Sequence, residues 1–429
     1  MPFIGFGHKD QIVPKKDIGI FYYQNTLLDS PESGSWKCIH SCALFVTAVH
    51  CTYTFPNYKR TTFGDSIDVA SMKLLKEIYE QSVDKNVISS PLGVLILLAL
   101  YASGSEGKTR DEIMALLGST DYEQFPGSYS QLSERFASMD PNYLILANKV
   151  LVSDKYTLDE GFLNTAKTYK SEVDNINFND RKMAADVINN WSSKKTKGLI
   201  DQPVSESDID PAAAIALLNV IFFQGHWHVP FNASKTKEQD FNVDRSTIVK
   251  KPMMHLRQSL YYREDKEMGV KMIDLPYKES KFRMVVVLPN EVDGLPDVLD
   301  KAAEKGLLEN IFRMHPTTGS VILDMPKFET RTKINLNDVL SKVGVTGIFK
   351  NASSGIVKEL GVMVSKALQE AYVKVDEEGA TAGAFTGVVA TPLSSWSRPP
   401  PSIPFKVDRP FLYVILNDDI VLFAGTYTH

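Results

Sequence analysis

Two groups of residues in this chain have types that bind metal ions. Cys38, Cys42 and Cys51 lie together near the start, with His40 and His50 among them, and His226-Trp227-His228 sets two imidazoles on one face of an extended segment. Neither group completes a site. The spacing around the cysteines matches no standard zinc pattern, because the second pair is an adjacent His50-Cys51, and the histidine pair lacks a third ligand. No metal and no other cofactor is expected. The chain also lacks Gly-x-Ser-x-Gly, His-Glu-x-x-His and a phosphate-binding glycine loop, so no catalytic residues and no enzyme activity are expected. The triplets Asn190-Trp-Ser192, Asn232-Ala-Ser234 and Asn351-Ala-Ser353 could accept N-linked sugar. Asn232 and Asn351 fall in turn-like segments and are the candidate sites, whereas Asn190 falls in a predicted helix.

The segment Glu377–Pro401 carries a different kind of chemistry. Long loops inside compact domains are usually functional or disordered. The first part, Glu377, Glu378, Gly379, Ala380, Thr381, Ala382, Gly383 and Ala384, becomes a tract of small residues from Gly379 on, and the part beyond Pro392 is rich in Pro and Ser. Small residues can slide between two existing strands without overpacking the core beneath them. A loop that does so stores free energy and releases it on insertion. Composition alone favours a flexible surface linker.

Loops of this kind need a rigid frame. Apolar residues at helical spacing predict a helix over Ser66–Ser82, a second from Pro91, a third over Lys108–Leu117 and another over Asp180–Lys195. Strands are predicted at Tyr143–Val152, Ala214–Phe223, Phe282–Leu288, Val321–Phe328 and Val362–Val375, with a terminal hairpin, Leu412–Leu416 and Ile420–Tyr427, turning at Asn417-Asp418-Asp419. Helices first and strands later predict an α+β fold.

The 429 residues suggest about three domains by length, yet no repeat and no Gly/Ser-rich linker divides the chain after residue 65. The boundaries expected are an N-terminal extension, residues 1–62, and one domain, 63–429. With 47 Lys and Arg against 52 Asp and Glu, the net charge of −5 supplies no basic field for nucleic acid. The basic run Lys194–Lys197 reads as a solvated helix end. Membrane spanning is not expected, since the most apolar runs, Cys42–Val49 and Leu92–Ala102, are too short. The first follows Lys37 and resembles a signal-peptide core lying far from Met1. Secretion is expected on that ground and on the sugar-acceptor triplets. The depth of the segment leaves a cytoplasmic location as the alternative.

Five stretches in order resemble the serpins, a family of protease inhibitors: Asn86-Val-Ile-Ser-Ser-Pro-Leu-Gly93; Ile188-Asn-Asn-Trp191 with Thr196-Lys-Gly-Leu-Ile200; Leu218–Trp227 followed by Pro230-Phe231; the hinge Val375–Ala384; and Asp408-Arg-Pro-Phe411 with Leu422-Phe-Ala-Gly425. The resemblance implies a large mixed main sheet, smaller sheets, surrounding helices and an exposed reactive-centre loop. It also implies a suicide inhibitor, whose loop is attacked by a target protease and then inserts into the main sheet. The partner would be that protease, held as a covalent acyl-enzyme by a monomer. The segment after Gly118 is not basic where heparin-binding relatives are, so no heparin site is expected.

Counted from the hinge glutamate as in that family, the cleaved bond falls at Leu393-Ser394, with Ser395, Trp396 or Arg398 as alternative reactive-site residues. Leucine suits a chymotrypsin- or elastase-like primary pocket, and Pro399 disfavours cleavage after Arg398. A papain-like cysteine protease is an alternative target, and a non-inhibitory carrier or storage role an alternative function. Ser90, Asn189, Trp227 and Gln369 match the region that controls sheet opening. Gly93 stands where a serine is usual and Gln369 where many members carry histidine, so altered control is expected. Phe385 ends the small tract with a bulky ring. Facing the core during insertion it would slow the trap; facing outward it would change little.

Overall fold

The first long helix starts where its cap allows. Thr61 accepts the Gly64 backbone N–H at 2.9 Å through its hydroxyl, which in turn donates to the Asp419 carboxylate at 2.6 Å. Helix α1 therefore spans Thr62–Gln81, four residues longer at its start than the apolar spacing predicts, and buries Ile67, Ala70, Leu74 and Ile78 along one face. Ser90 and Pro91 open α2, Pro91–Ser103, which is buried around nearly its whole circumference and so runs through the core. Helices α3 (Gly107–Leu116), α4 (Phe125–Ala137), α5 (Glu160–Thr168) and α6 (Arg181–Lys195) follow. Asp180 caps α6 by accepting the Met183 N–H at 3.0 Å. At the other end Lys195 pairs with Glu172 at 2.5 Å and Lys197 donates to Asn142 at 2.6 Å, as a solvated basic helix end would.

This computed structural model describes residues 36–43, 46–53, 60–119, 125–279, 281–350, 355–379 and 401–429. The strands β1 (Trp36–Ala43) and β2 (Val46–Tyr53) pair antiparallel and belong to a compact unit of their own. The signal-like run Cys42–Val49 falls across this hairpin. The other described residues form the second unit.

Three sheets build that second unit. In the first, β3 (Val87–Ser89) lies at one edge, and β9 (Tyr261–Asp265), β10 (Val270–Pro276), β11 (Phe282–Pro289) and the short β12 (His315–Pro316) lead in from the other. Between them sit β17 (Phe411–Asn417) and β18 (Ile420–Tyr427), giving the order β12-β9-β10-β11-β17-β18-β3. Every residue of β11, β17 and β18 is buried, so this sheet is the centre of the core. The terminal hairpin turns at Asp418-Asp419, with Asp418 at φ +55°, a conformation that aspartate tolerates. The second sheet joins β7 (Lys237–Asn242), β8 (Ile248–Gln258), β13 (Val321–Pro326) and β16 (Ile403–Lys406). The third holds β4 (Leu144–Ser153), β5 (Glu172–Ile176), β6 (Ile215–Phe223), β14 (Phe328–Asn335) and β15 (Val364–Val375), in the order β14-β15-β6-β4-β5.

Two expectations change here. The single strand predicted at Val321–Phe328 is two, because the chain breaks at Lys327 after Pro326 and passes from the second sheet to the third. The helix-then-strand order also admits β5 beside the predicted β4 among the early helices, and further helices late in the chain, including α7 (Leu295–Lys305).

One buried charge gives the fold a pH dependence. Asp68 of α1 accepts the backbone N–H groups of Leu307 and Leu308, at 2.6 and 2.7 Å, in the turn after α7. Burial pushes its carboxyl up to about 7, against those two bonds. Between the ordinary value of 3.8 and about 7, the folded chain holds a proton that the unfolded chain has lost. Stability contributed by this group therefore falls as pH rises through that window. Thermal unfolding from pH 5 to 8 is expected to show that fall in wild type, and Asp68→Asn to flatten it.

Candidate functional site

The third sheet has two parallel pairings, β4 with β5 at its edge and a seam between β15 and β6 in its interior. Its neighbours β14 and β15, and β6 and β4, are antiparallel, but β15 and β6 run parallel, with Leu368, Gln369 and Glu370 opposite Leu218, Asn219 and Val220. Side chains alternate across the two faces. Ala367, Gln369, Ala371, Val373 and Val375 all point into the core, each 1% exposed or less. Leu368 and Glu370 point the other way, towards α6, and there line a cleft with Ile188, Trp191, Val204 and Val220.

At the middle of the seam, Gln369 is locked on its core side. Its amide nitrogen donates to the Ser90 carbonyl at 2.7 Å and to Asn219 Oδ1 at 2.8 Å. Its amide oxygen accepts from the Ser89 hydroxyl at 2.7 Å and the Ser90 backbone N–H at 3.0 Å. Asn219 passes the network on to Asn148 on β4 at 2.7 Å. One buried side chain thus ties β15 to β6 and to the start of α2. Gly93 has a steric reason: a Cβ there would collide with the Asn219 side chain. The glutamine and the glycine act as a matched set.

Sequence reasoning found Gln369 and Ser90 but missed Ser89, Asn148 and Asn219. The signal for Asn219 was present, since it is the one polar residue in the otherwise apolar strand Ile215–Phe223. Asn189 sits apart from this cluster. Its side chain holds the Val204 backbone from both sides, at 2.9 and 3.1 Å, and so fastens α6 to the segment that follows it. Trp227 also lies elsewhere, at the hinge.

At the top of the seam the chain leaves β15 and docks on the residues after β6. The Trp227 indole N–H donates to the Asp376 carbonyl and its backbone N–H to the Glu378 carbonyl, both at 2.8 Å, while the Phe231 N–H donates to the Glu377 carbonyl at 2.7 Å. The Trp227 ring stacks on Tyr277 at 4.5 Å, which fixes its direction. The Glu377 carboxylate pairs with Lys327 at 2.7 Å and accepts the Thr236 hydroxyl at 2.7 Å. Burial pushes its carboxyl up, but the Lys327 and Thr236 bonds outweigh burial and hold it below the ordinary carboxylate range. Gly379 lies at φ +132° against Gly225 and His226, where any Cβ would strike backbone. Asp376 and Gly379 exchange backbone hydrogen bonds, at 3.0 and 3.4 Å, across the two-residue turn Glu377-Glu378.

The rest of the hinge, Ala380–Ala384, lies outside the described residues, as do Phe385 and the reactive-site candidates Leu393, Ser394, Ser395, Trp396 and Arg398. Asn351 lies outside them too. Asn232 is exposed, and its side chain accepts from the Ser234 backbone N–H at 2.9 Å and hydroxyl at 2.7 Å. His226 bonds Glu279 at 3.0 Å, and no cluster of metal-binding side chains occurs among the described residues.

The third sheet is a mixed sheet of five strands with a hinge tethered at one end, in keeping with the large mixed main sheet that the sequence resemblance implies. The family model described as serpin (serine protease inhibitor) matches residues 66–429. The chain belongs to the serpin family. It is 32% identical to an antitrypsin of Bombyx mori over 84% of this chain and 92% of that one. It is 31% identical to antichymotrypsin-2 of the same organism, over 84% and 96%. Among solved structures, human thyroxine-binding globulin superposes with a TM-score of 0.77 at 25% identity, covering 86% of this serpin and 98% of the globulin. Serpins are protease inhibitors rather than catalytic enzymes, and this serpin has protease-inhibiting relatives.

Proposed function

We propose that this serpin is a suicide-substrate inhibitor of a chymotrypsin- or elastase-like serine protease, with Leu393-Ser394 as the bond attacked. The observation that carries the reading is the closed parallel seam, with the first hinge residues, Asp376–Gly379, anchored at its top. The protease serine attacks the Leu393 carbonyl carbon, an ester forms to that carbon, and the bond to the Ser394 nitrogen breaks as the nitrogen takes a proton. The inhibitor adds no group to this chemistry. Its contribution is the loop, which enters the seam before water hydrolyses the ester.

Strand geometry favours that entry. The Asp376–Gly379 pairing is the closed end of a hairpin. Carried on down β15, its register sets Ala380 opposite Val375, Ala382 opposite Val373, Ala384 opposite Ala371 and Thr386 opposite Gln369. Residues directly opposed share a face, so these small side chains meet the core. Two antiparallel pairs replace one parallel pair, which gains a full ladder of hydrogen bonds.

Incubation with chymotrypsin, followed by a denaturing gel and mass spectrometry, tests the reading. A gel-stable complex with cleavage after Leu393 is the expected result. Clean cleavage without complex would instead favour a carrier role, the reading to which the likeness to thyroxine-binding globulin points. A papain arm tests a thiol protease as target. The proposal includes a monomer secreted with its domain beginning near residue 63, and sugar on Asn232, whose triplet is exposed.

A further inference from the structure

We infer that the cleft beneath α6 is the receiving pocket for Phe385 when the loop enters the seam. The inference rests on the insertion reading above and adds the fate of the one bulky side chain in the inserting tract. The same hairpin register that sends Ala384 and Thr386 to the core sets Phe385 opposite Glu370. Glu370 and Leu368 belong to the other face of β15, the face under α6. The ring therefore enters the shallow cleft walled by Ile188, Trp191, Val204, Leu218, Val220 and Leu368, and not the core on the Gln369 side.

The cleft suits this occupant. Its walls are mostly apolar, with Asn219, Lys333, Gln369 and Glu370 also in the lining, and its floor straddles the seam, with Leu218 and Val220 on one strand and Leu368 on the other. Opening the sheet for one more strand moves these halves apart by about 4.8 Å, the spacing of neighbouring strands. An alanine or glycine on the new strand would leave that widened floor unfilled beneath α6, and a void there forfeits contacts on every side. A phenylalanine ring fills it and meets Trp191. The indole nitrogen of Trp191 is buried without a hydrogen-bond partner, so the ring face would be the first group offered to it. Phe385 thereby becomes a stabiliser of the inserted state, in place of the obstacle that its size alone suggests.

Thermal unfolding of intact and loop-cleaved protein tests this, using wild type, Phe385→Ala and Phe385→Glu, with the gain in Tm on cleavage as the readout for each. Wild type is expected to gain most. Phe385→Ala should gain less by about 5 °C, since a filled site is emptied in the cleaved form. Phe385→Glu should gain less still, because it places a carboxylate against Ile188, Trp191, Val204 and Leu368, while the neighbouring Glu370 already occupies Arg331. Equal gains in wild type and Phe385→Ala, or a larger gain in the variant, would overturn the assignment while leaving insertion intact. No gain in wild type would overturn the insertion reading and this assignment with it.

Discussion

Ala382→Arg is expected to turn this serpin from an inhibitor into a plain substrate. In the hairpin register Ala382 comes to lie opposite Val373, whose side chain is fully buried against the core. A guanidinium forced into that face would be an unpaired buried cation, at a cost of several kcal/mol. Each 1.4 kcal/mol on the insertion barrier slows the step about tenfold, while hydrolysis of the acyl-enzyme keeps its own rate. The yield of gel-stable complex with chymotrypsin should fall at least about tenfold, with the rate of loop cleavage unchanged. Complex formed in wild-type yield would contradict core-side insertion of residue 382. The neighbouring Thr381→Arg, on the outward face, supplies the contrast and is expected to retain trapping.

The second large effect belongs to Gln369→Leu. The leucine matches the glutamine in size but removes both donors and the acceptor. It leaves Ser89, Ser90 and Asn219 short of four hydrogen bonds inside the protein. Unpaired buried groups cost about 1–3 kcal/mol each before relaxation, so a loss of about 3 kcal/mol in the stability of the closed form is expected. Because Gln369 ties β15 to β6, the loss falls on the seam itself. Thermal unfolding should show a lowered Tm for the intact protein, and amide exchange in β6 and β15 should quicken more than in β17 and β18. Uniform quickening across all four strands would mean that the network holds the fold as a whole and not the seam. Gln369→His serves as the milder companion, since imidazole keeps one donor and one acceptor.

Those two experiments follow parts of the molecule that were unequally legible. Four helices were readable because their signals are local: Ser90 announces the start of α2, and Ile67, Ala70, Leu74 and Ile78 keep a single face of α1, although the Thr61 cap that sets its true start went unread. Strands β7 to β9 escaped notice because they are mostly half-exposed, so polar and apolar residues do not alternate cleanly along them. The parallel seam was beyond any periodicity, since it joins Leu218 to Leu368, residues about a third of the chain apart. The family resemblance gave a mixed main sheet and left the seam to the structure.

The site divides in the same way. The hinge composition and Gln369 were visible in the sequence, whereas the Lys327–Glu377 pair, the Phe231 bond to the hinge and the role of Asn219 arise from segments brought together by folding. The grouping of Ser90, Asn189, Trp227 and Gln369 as one region resolves into three places: the middle of the seam, the middle of α6, and the hinge. The small-residue tract had two readings by composition, an inserting strand or a flexible linker. What favours the first is the pair of backbone bonds between Asp376 and Gly379, which closes a tight turn at the end of β15.

The most direct test of the central claim is the thermal stability of the protein before and after a single cut in the loop. Limited proteolysis after Leu393, confirmed by mass spectrometry, should leave a nicked molecule that unfolds at a markedly higher temperature than the intact one, because the freed strand completes the seam. An unchanged or lower Tm after the cut would contradict the insertion mechanism.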